Sequence, residues 1–237
     1  MKILAIDTST LLGGVAVAEA SSGLIAEVRL NIKSTHSERL MTAIDSVMKL
    51  SGQRIDDMDV FGVAIGPGSF TGLRIGLSTV KGFSFATGKP VVSVPTLEAF
   101  AWNFPYSGYP VCPMLDARKK EVYTALFQWK EKGFEKLIPE ASVSLDGFLA
   151  KASGLTGGAI VFAGEGALLY RKEIMRLMGE RALFAAHGKA VPLPSNVAFL
   201  GLSKALRGEF SEPVSLVPVY IRKSEAEIKS DARNTYS

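Results

Sequence analysis

One cysteine and two histidines are all that this sequence offers to thiol or imidazole chemistry. Cys112 has no second cysteine to pair with, which excludes an internal disulfide and a thiolate metal cluster. His36 and His187 form no HxxxH or HExxH pair, so no catalytic zinc or iron site is expected. Long apolar runs are also missing: none approaches the roughly 18 residues that a membrane span needs. The opening MKILAIDTST is interrupted by Asp7 before it can form a signal-peptide core, and the chain is expected to be cytoplasmic. The excess of one charge sign is small. The net charge is +4, with nine Lys/Arg against nine Asp/Glu in residues 1–110 and eighteen against fourteen in 111–237. Such a surplus can assist contact with RNA but falls short of a nucleic-acid footprint, and a solvated surface is the simpler account.

What is present suits a folded α/β protein. A chain of 237 residues, 47% hydrophobic and 21% charged, can bury one large core or two smaller ones. Residues 2–7, 14–20 and 24–30 read as three strands with short links, an antiparallel meander. In STHSERLMTAIDSVMKLSG, Leu40, Met41, Ile44, Val47 and Met48 fall on one helical face, with Ser37 as cap and Gly52 as stop. A strand over 59–66, a helix over 71–87, a strand over 90–94 and a helix capped by Thr96 follow. The second half begins likewise: a strand, Asp116, a short turn and another strand. Residues 159–167 run into a helix over 168–178, and 194–206 is a further helix. Two halves that each open strand–Asp–turn–strand suggest a duplication with a cleft between lobes. The expected lobes are 1–106, joined by part of 208–237, and 107–207, with the turn formers of NFPYSGYP (103–110) as boundary.

The stretch GPGSFTGLRIG (66–76) invites a phosphate-loop reading and fails it on spacing. It has no lysine where the Walker pattern needs one, Thr71 stands where GxGxxG needs glycine, and Ser69 lacks the flanking glycines of GxSxG. Ser69 and Thr71 read instead as helix caps. An interior helical glycine costs about 1 kcal/mol relative to alanine, so Gly72 and Gly76 imply a close neighbour. With Thr79 they form one face, open to a partner helix or to close packing within the chain, while Leu73, Leu77 and Val80 face a sheet. Asp7, Thr8, Ser9 and Thr10 end the first strand, where they could hold phosphate or simply cap their own turn. Asp116-Ala-Arg-Lys is the corresponding turn of the second half.

These residues resemble a known family. The segment GPGSFTGLRIGLSTVKGFSFATGKPVVSVPTLEAFA (66–101) is similar to the signature of the TsaB (YeaZ) family. MKILAIDTST, HSERLMTAIDSVM (36–48), PMLDARKKEVYTALF (113–127), GEGA (164–167) and VPVYIRKSEAE (217–227) match the family's pattern in the same order. The resemblance implies a two-lobed α/β fold of the actin/Hsp70/sugar-kinase (ASKHA) type. It also implies work in the tRNA modification N6-threonylcarbamoyladenosine (t6A). The TsaD-type paralogue transfers the threonylcarbamoyl group to adenosine 37 of tRNAs reading ANN codons, and it carries an HxxxH metal motif absent here. The implied role is thus a non-catalytic accessory subunit without cofactor or metal, which binds and activates TsaD. A TsaE-type ATPase joins the complex, tRNA is met through it, and the free chain forms a homodimer without a membrane. TsaC or a relative supplies the threonylcarbamoyl-adenylate.

Carried onto this sequence, the implied interface is His36, Glu38, Arg39, Leu40 and Ile44 on the first helix. On the second it is Gly72, Arg74, Gly76, Thr79 and Val80, which tips the glycine face toward a partner helix. Gly76→Leu is then expected to leave the monomer folded but unpaired. A vestigial nucleotide site would comprise Asp7, Thr8, Ser9, Asp116, Gly164 and Gly166. The alternative is an ATP-dependent phosphotransferase using Asp7 and Asp116. Tyr220 and Arg222 are expected to pack on the first lobe and the tail 224–237 to fray.

Overall fold

In the computed structural model of the chain the described residues are 1–30 and 36–222, the side chains of residues 30 and 36–39 excepted. The proposed Ser37 cap, the side chains of His36, Glu38 and Arg39, and the tail 223–237 lie outside the described residues. The first half contains β1 (Lys2–Asp7), β2 (Gly13–Glu19), β3 (Gly23–Leu30), α1 (His36–Ser51), β4 (Val60–Ala64), α2 (Phe70–Thr87), β5 (Val91–Val94) and α3 (Thr96–Ala101). The second contains β6 (Val111–Arg118), β7 (Glu121–Lys130), β8 (Gly133–Ser144), α4 (Leu145–Thr156) and β9 (Ile160–Ala163). It continues with α5 (Glu165–Leu169), α6 (Arg171–Met178), β10 (Ala182–Phe184) and α7 (Pro194–Leu206).

Each half builds a five-stranded sheet, ordered β3-β2-β1-β4-β5 and β8-β7-β6-β9-β10. The first three strands of each half pair antiparallel and the remaining pairings are parallel. The two sheets therefore repeat one connectivity, and the duplication expected from the sequence is real. Strand alternation sends β1 side chains to two faces. Leu4 and Ile6 meet Leu40, Ile44 and Val47 of α1 and Leu77 and Val80 of α2, all buried. A fully buried Leu, Ile or Val is worth about 1.5–3 kcal/mol, so this stripe, more than helix propensity, holds α1 in place. Gly52 ends α1 as expected, in the left-handed conformation, and Gly88 does the same just past α2.

On the opposite face the two halves exchange helices. Ile3 and Ala5 pack against Val197, Ala198 and Leu202 of α7, a helix of the second half. In exchange, Leu97, Phe100 and Ala101 of α3 pack on the second sheet against Val111, Leu115 and Phe127. Helix α7 thus packs on the first sheet and most of α3 on the second, with Ala99 in the first-sheet cluster, because each sheet presents a second apolar face. Two further differences follow from local chemistry. The pattern predicts no element between the second strand of the second half and residue 159, yet β8 and α4 form there. Residues 168–178 are not one helix with a leading loop, since α5 starts at Glu165 and breaks at Tyr170.

Candidate functional site

A cleft of about 600 Å³ lies between the lobes. Ser9, Thr10, Gly68, Ser69 and Thr71 line its first-lobe wall, and Asp116, Arg118, Tyr123 and Glu165 line the second. Residues 219–222 complete its lining. Tyr220 holds this segment to the first lobe: its hydroxyl accepts from Arg74 Nε at 2.7 Å and its ring stacks on Phe70 with centroids 4.6 Å apart. The Arg74 guanidinium lies 3.9 Å from the Phe70 ring centroid, a cation–π contact. Arg222 does not pack on the first lobe as expected. It reaches the second, donating from Nη1 to the Ala117 carbonyl at 2.9 Å and pairing with Glu121 at 3.3 Å. The segment braces one lobe against the other.

The Asp7 turn uses its donors internally. Asp7 Oδ1 accepts from the Ser9 N–H at 2.9 Å and from Ser9 Oγ at 2.6 Å. Thr8 Oγ1 donates to the Gly72 carbonyl at 2.7 Å, and Thr10 Oγ1 to the Leu12 carbonyl at 3.0 Å. Asp7 itself is buried, and its Oδ2 has no hydrogen-bond partner among the described residues. Burial pushes its carboxyl above the ordinary value of 3.8, while the two Ser9 bonds pull the other way. Asp7 is not among the cleft-lining residues, whereas Asp116 is. Asp116 Oδ1 accepts from the Arg118 N–H at 2.9 Å, so both aspartates cap their own turns.

Gly72, Gly76, Gly164 and Gly166 serve close packing. A Cβ on Gly72 would overlap the Thr8 carbonyl oxygen, and one on Gly76 the Thr8 hydroxyl. The glycine face expected to receive a partner helix is therefore filled by the end of β1. Leu40, Ile44 and Val80 are likewise buried in the first core, which leaves Arg74 and Thr79 of the carried-over α2 positions on the outside. Ser69 caps α2 through Gly72 N–H at 3.3 Å, but Thr71 lies inside the helix. Thr96 is the first residue of α3 rather than its cap, and its hydroxyl accepts from the Gly66 N–H. In the second half, Gly164 has φ +111° and, with Gly166, lets α5 approach Met114 of β6. That contact explains both glycines without an adenosine.

Glu165, between those glycines, was not singled out in the sequence. It lines the cleft, and partial burial with the nearby Asp116 charge pushes its carboxyl up, against the Asp116 N–H and Arg118. The only sequence signal for it is its place inside GEGA.

Two sheets of one strand order, interlocked by exchanged helices around a cleft between two aspartate-capped turns, define a two-lobed fold of the actin/Hsp70/sugar-kinase class. Ethanolamine utilization protein EutJ from Carboxydothermus hydrogenoformans shares this fold, with a TM-score of 0.50 at 11% identity over 84% of this chain and 90% of that one. Within the class the chain is far more similar to YeaZ from Pseudomonas aeruginosa, with a TM-score of 0.74 at 26% identity over 92% of this chain and 99% of that one. Residues 23–230 match the family described as TsaD, tRNA N6-adenosine threonylcarbamoyltransferase. The chain is also 34% identical to the tRNA threonylcarbamoyladenosine biosynthesis protein TsaB of Bacillus subtilis (strain 168), over 97% of each sequence. It belongs to the TsaB (YeaZ) family.

Proposed function

We propose that the chain is an accessory subunit of tRNA threonylcarbamoyladenosine synthesis, which binds and activates a TsaD-type transferase and performs no transfer itself. The observation that carries this reading is the full-length identity to a TsaB protein. The internal use of donors in the Asp7 turn supports it, because a phosphotransferase would need those groups free for phosphate.

The docking face is the outer side of α1 and α2, which pack side by side. It carries Arg74 and Thr79 together with Met41 and Phe85, the last 94% exposed. An aromatic ring so exposed suits the centre of a protein interface. His36, Glu38 and Arg39 of α1 stay in the proposed interface on the family resemblance, since their side chains lie outside the described residues. The same face pairs two copies when the chain is alone, and a TsaE-type ATPase and tRNA are met through the transferase complex.

Sedimentation of the chain mixed with a TsaD-type subunit tests the docking face. Phe85→Glu, a surface change that leaves the core intact, should weaken pairing at least tenfold without lowering the melting temperature. Unchanged pairing would contradict this assignment of the face.

A further inference from the structure

The turn between β6 and β7 is made of residues that its shape disfavours. Arg118 pairs with Glu121, which leaves Lys119 and Lys120 as a two-residue hairpin loop. Their φ angles are 53° and 63°, and Arg118 before them also stands at 63°. Loops of this kind favour Asn-Gly or Gly-Gly, which enter the left-handed region without the Cβ clash. Here three consecutive long cations occupy it.

Within the chain only Arg118 finds any return, the attraction of the Glu165 carboxylate in the cleft. All three residues are exposed, and among the described residues none of their side chains makes a hydrogen bond or ion pair. The neighbouring acid, Glu121, is already engaged by Arg222 and by Ser142 Oγ at 2.9 Å. At Lys119 and Lys120, backbone strain held where no local side-chain contact returns it points to a task outside the monomer.

We propose that this turn, on the second-lobe rim of the cleft, contacts the phosphate backbone of an RNA. Closely spaced cations without apolar neighbours in the turn match a backbone with one charge per nucleotide. A protein interface would instead bring an apolar centre, and Arg118, Lys119 and Lys120 supply none. The inference deepens the tRNA-modification reading above and rests on it.

Lys119→Asn combined with Lys120→Gly tests it, because these are the residues the turn prefers. The fold is kept while two charges go. Binding of an unmodified tRNA transcript by the chain paired with a TsaD-type subunit is measured against salt. The affinity should fall at least tenfold at about 0.1 M salt, and the slope of log K against log salt should shrink by about 1.5, since each phosphate contributes about 0.7–0.9. The KM for tRNA should rise with kcat, subunit pairing and melting temperature preserved. Equal affinity and slope would overturn the inference. So would a loss confined to subunit pairing, which would mark the turn as a contact for an acidic protein surface. If the unaltered chain fails to stimulate transfer, the functional reading fails, and the binding comparison still decides the role of the turn.

Discussion

Asn196 Nδ2 donates to Asn103 Oδ1 at 2.7 Å, joining the end of α3 to the start of α7 where the two lobes exchange helices. Asn103 Nδ2 in turn donates to the carbonyls of Lys189 and Val191 at 2.9 and 2.7 Å, and Asn196 also serves the Ala99 carbonyl. This buried knot fixes the junction from which the cleft opens.

Asn103→Ala removes one member and strands the others. A buried polar group left without a partner costs about 1–3 kcal/mol, so a loss of about 2–4 kcal/mol is expected in urea denaturation. A double-mutant cycle with Asn196→Ala should show a coupling above about 0.5 kcal/mol, as residues of one network do. Strict additivity would mean that the two amides act independently.

Gly76 and Gly82 occupy one helix and should answer oppositely to alanine. At Gly76 the new methyl meets the Thr8 hydroxyl, and overpacking of this kind costs about 1–3 kcal/mol. At Gly82 a Cβ meets nothing within 4 Å, and the change should stabilise by about 0.5–1 kcal/mol. Thermal melts of the two variants distinguish this account from one in which the whole glycine face is free. It follows that Gly76→Leu is a poor test of pairing, since it would disturb the monomer first.

Asp7 gives the fold a pH dependence of definite sign. Its folded pKa is raised by burial above the ordinary 3.8, so the native state binds the proton more tightly than the unfolded chain. The stability this contributes is complete below about pH 3.8 and is lost as pH rises through the folded value. Asp7→Asn keeps an oxygen for the two Ser9 bonds and cannot ionise. The variant should therefore lose less stability than the parent between pH 4 and neutrality. Parallel melting curves for the two across that range would contradict the assignment.

Much of this architecture was legible in the sequence. The continuous apolar runs in 2–7 and 14–20, buried on both faces, and the 3.6-residue stripe from Leu40 to Met48 are patterns that burial enforces. The strand–Asp–turn–strand opening of both halves disclosed the duplication. β8 was not legible because Pro139 interrupts it and register shifts at Thr124 to Phe127 blur the alternation of its partner β7. α4 carries Gly147 and Gly154, which dilute its helical signal. The exchange of α3 and α7 depends on which sheet face each helix covers, and that is a tertiary fact without a local mark. At the site, spacing revealed that Gly72 and Gly76 need a close neighbour. It could not reveal that the neighbour is Thr8, 64 positions before Gly72.

The central claim is that the chain activates a transferase without transferring. Threonylcarbamoyl transfer to tRNA, measured in a reconstituted mixture with a TsaD-type subunit, a TsaE-type ATPase and threonylcarbamoyl-adenylate, tests it most directly. Product should form only when both the chain and the TsaD-type subunit are present, and Asp7→Asn should support the same rate as the parent. Equal product without the chain, or its abolition by Asp7→Asn in a folded, pairing-competent variant, would contradict the account.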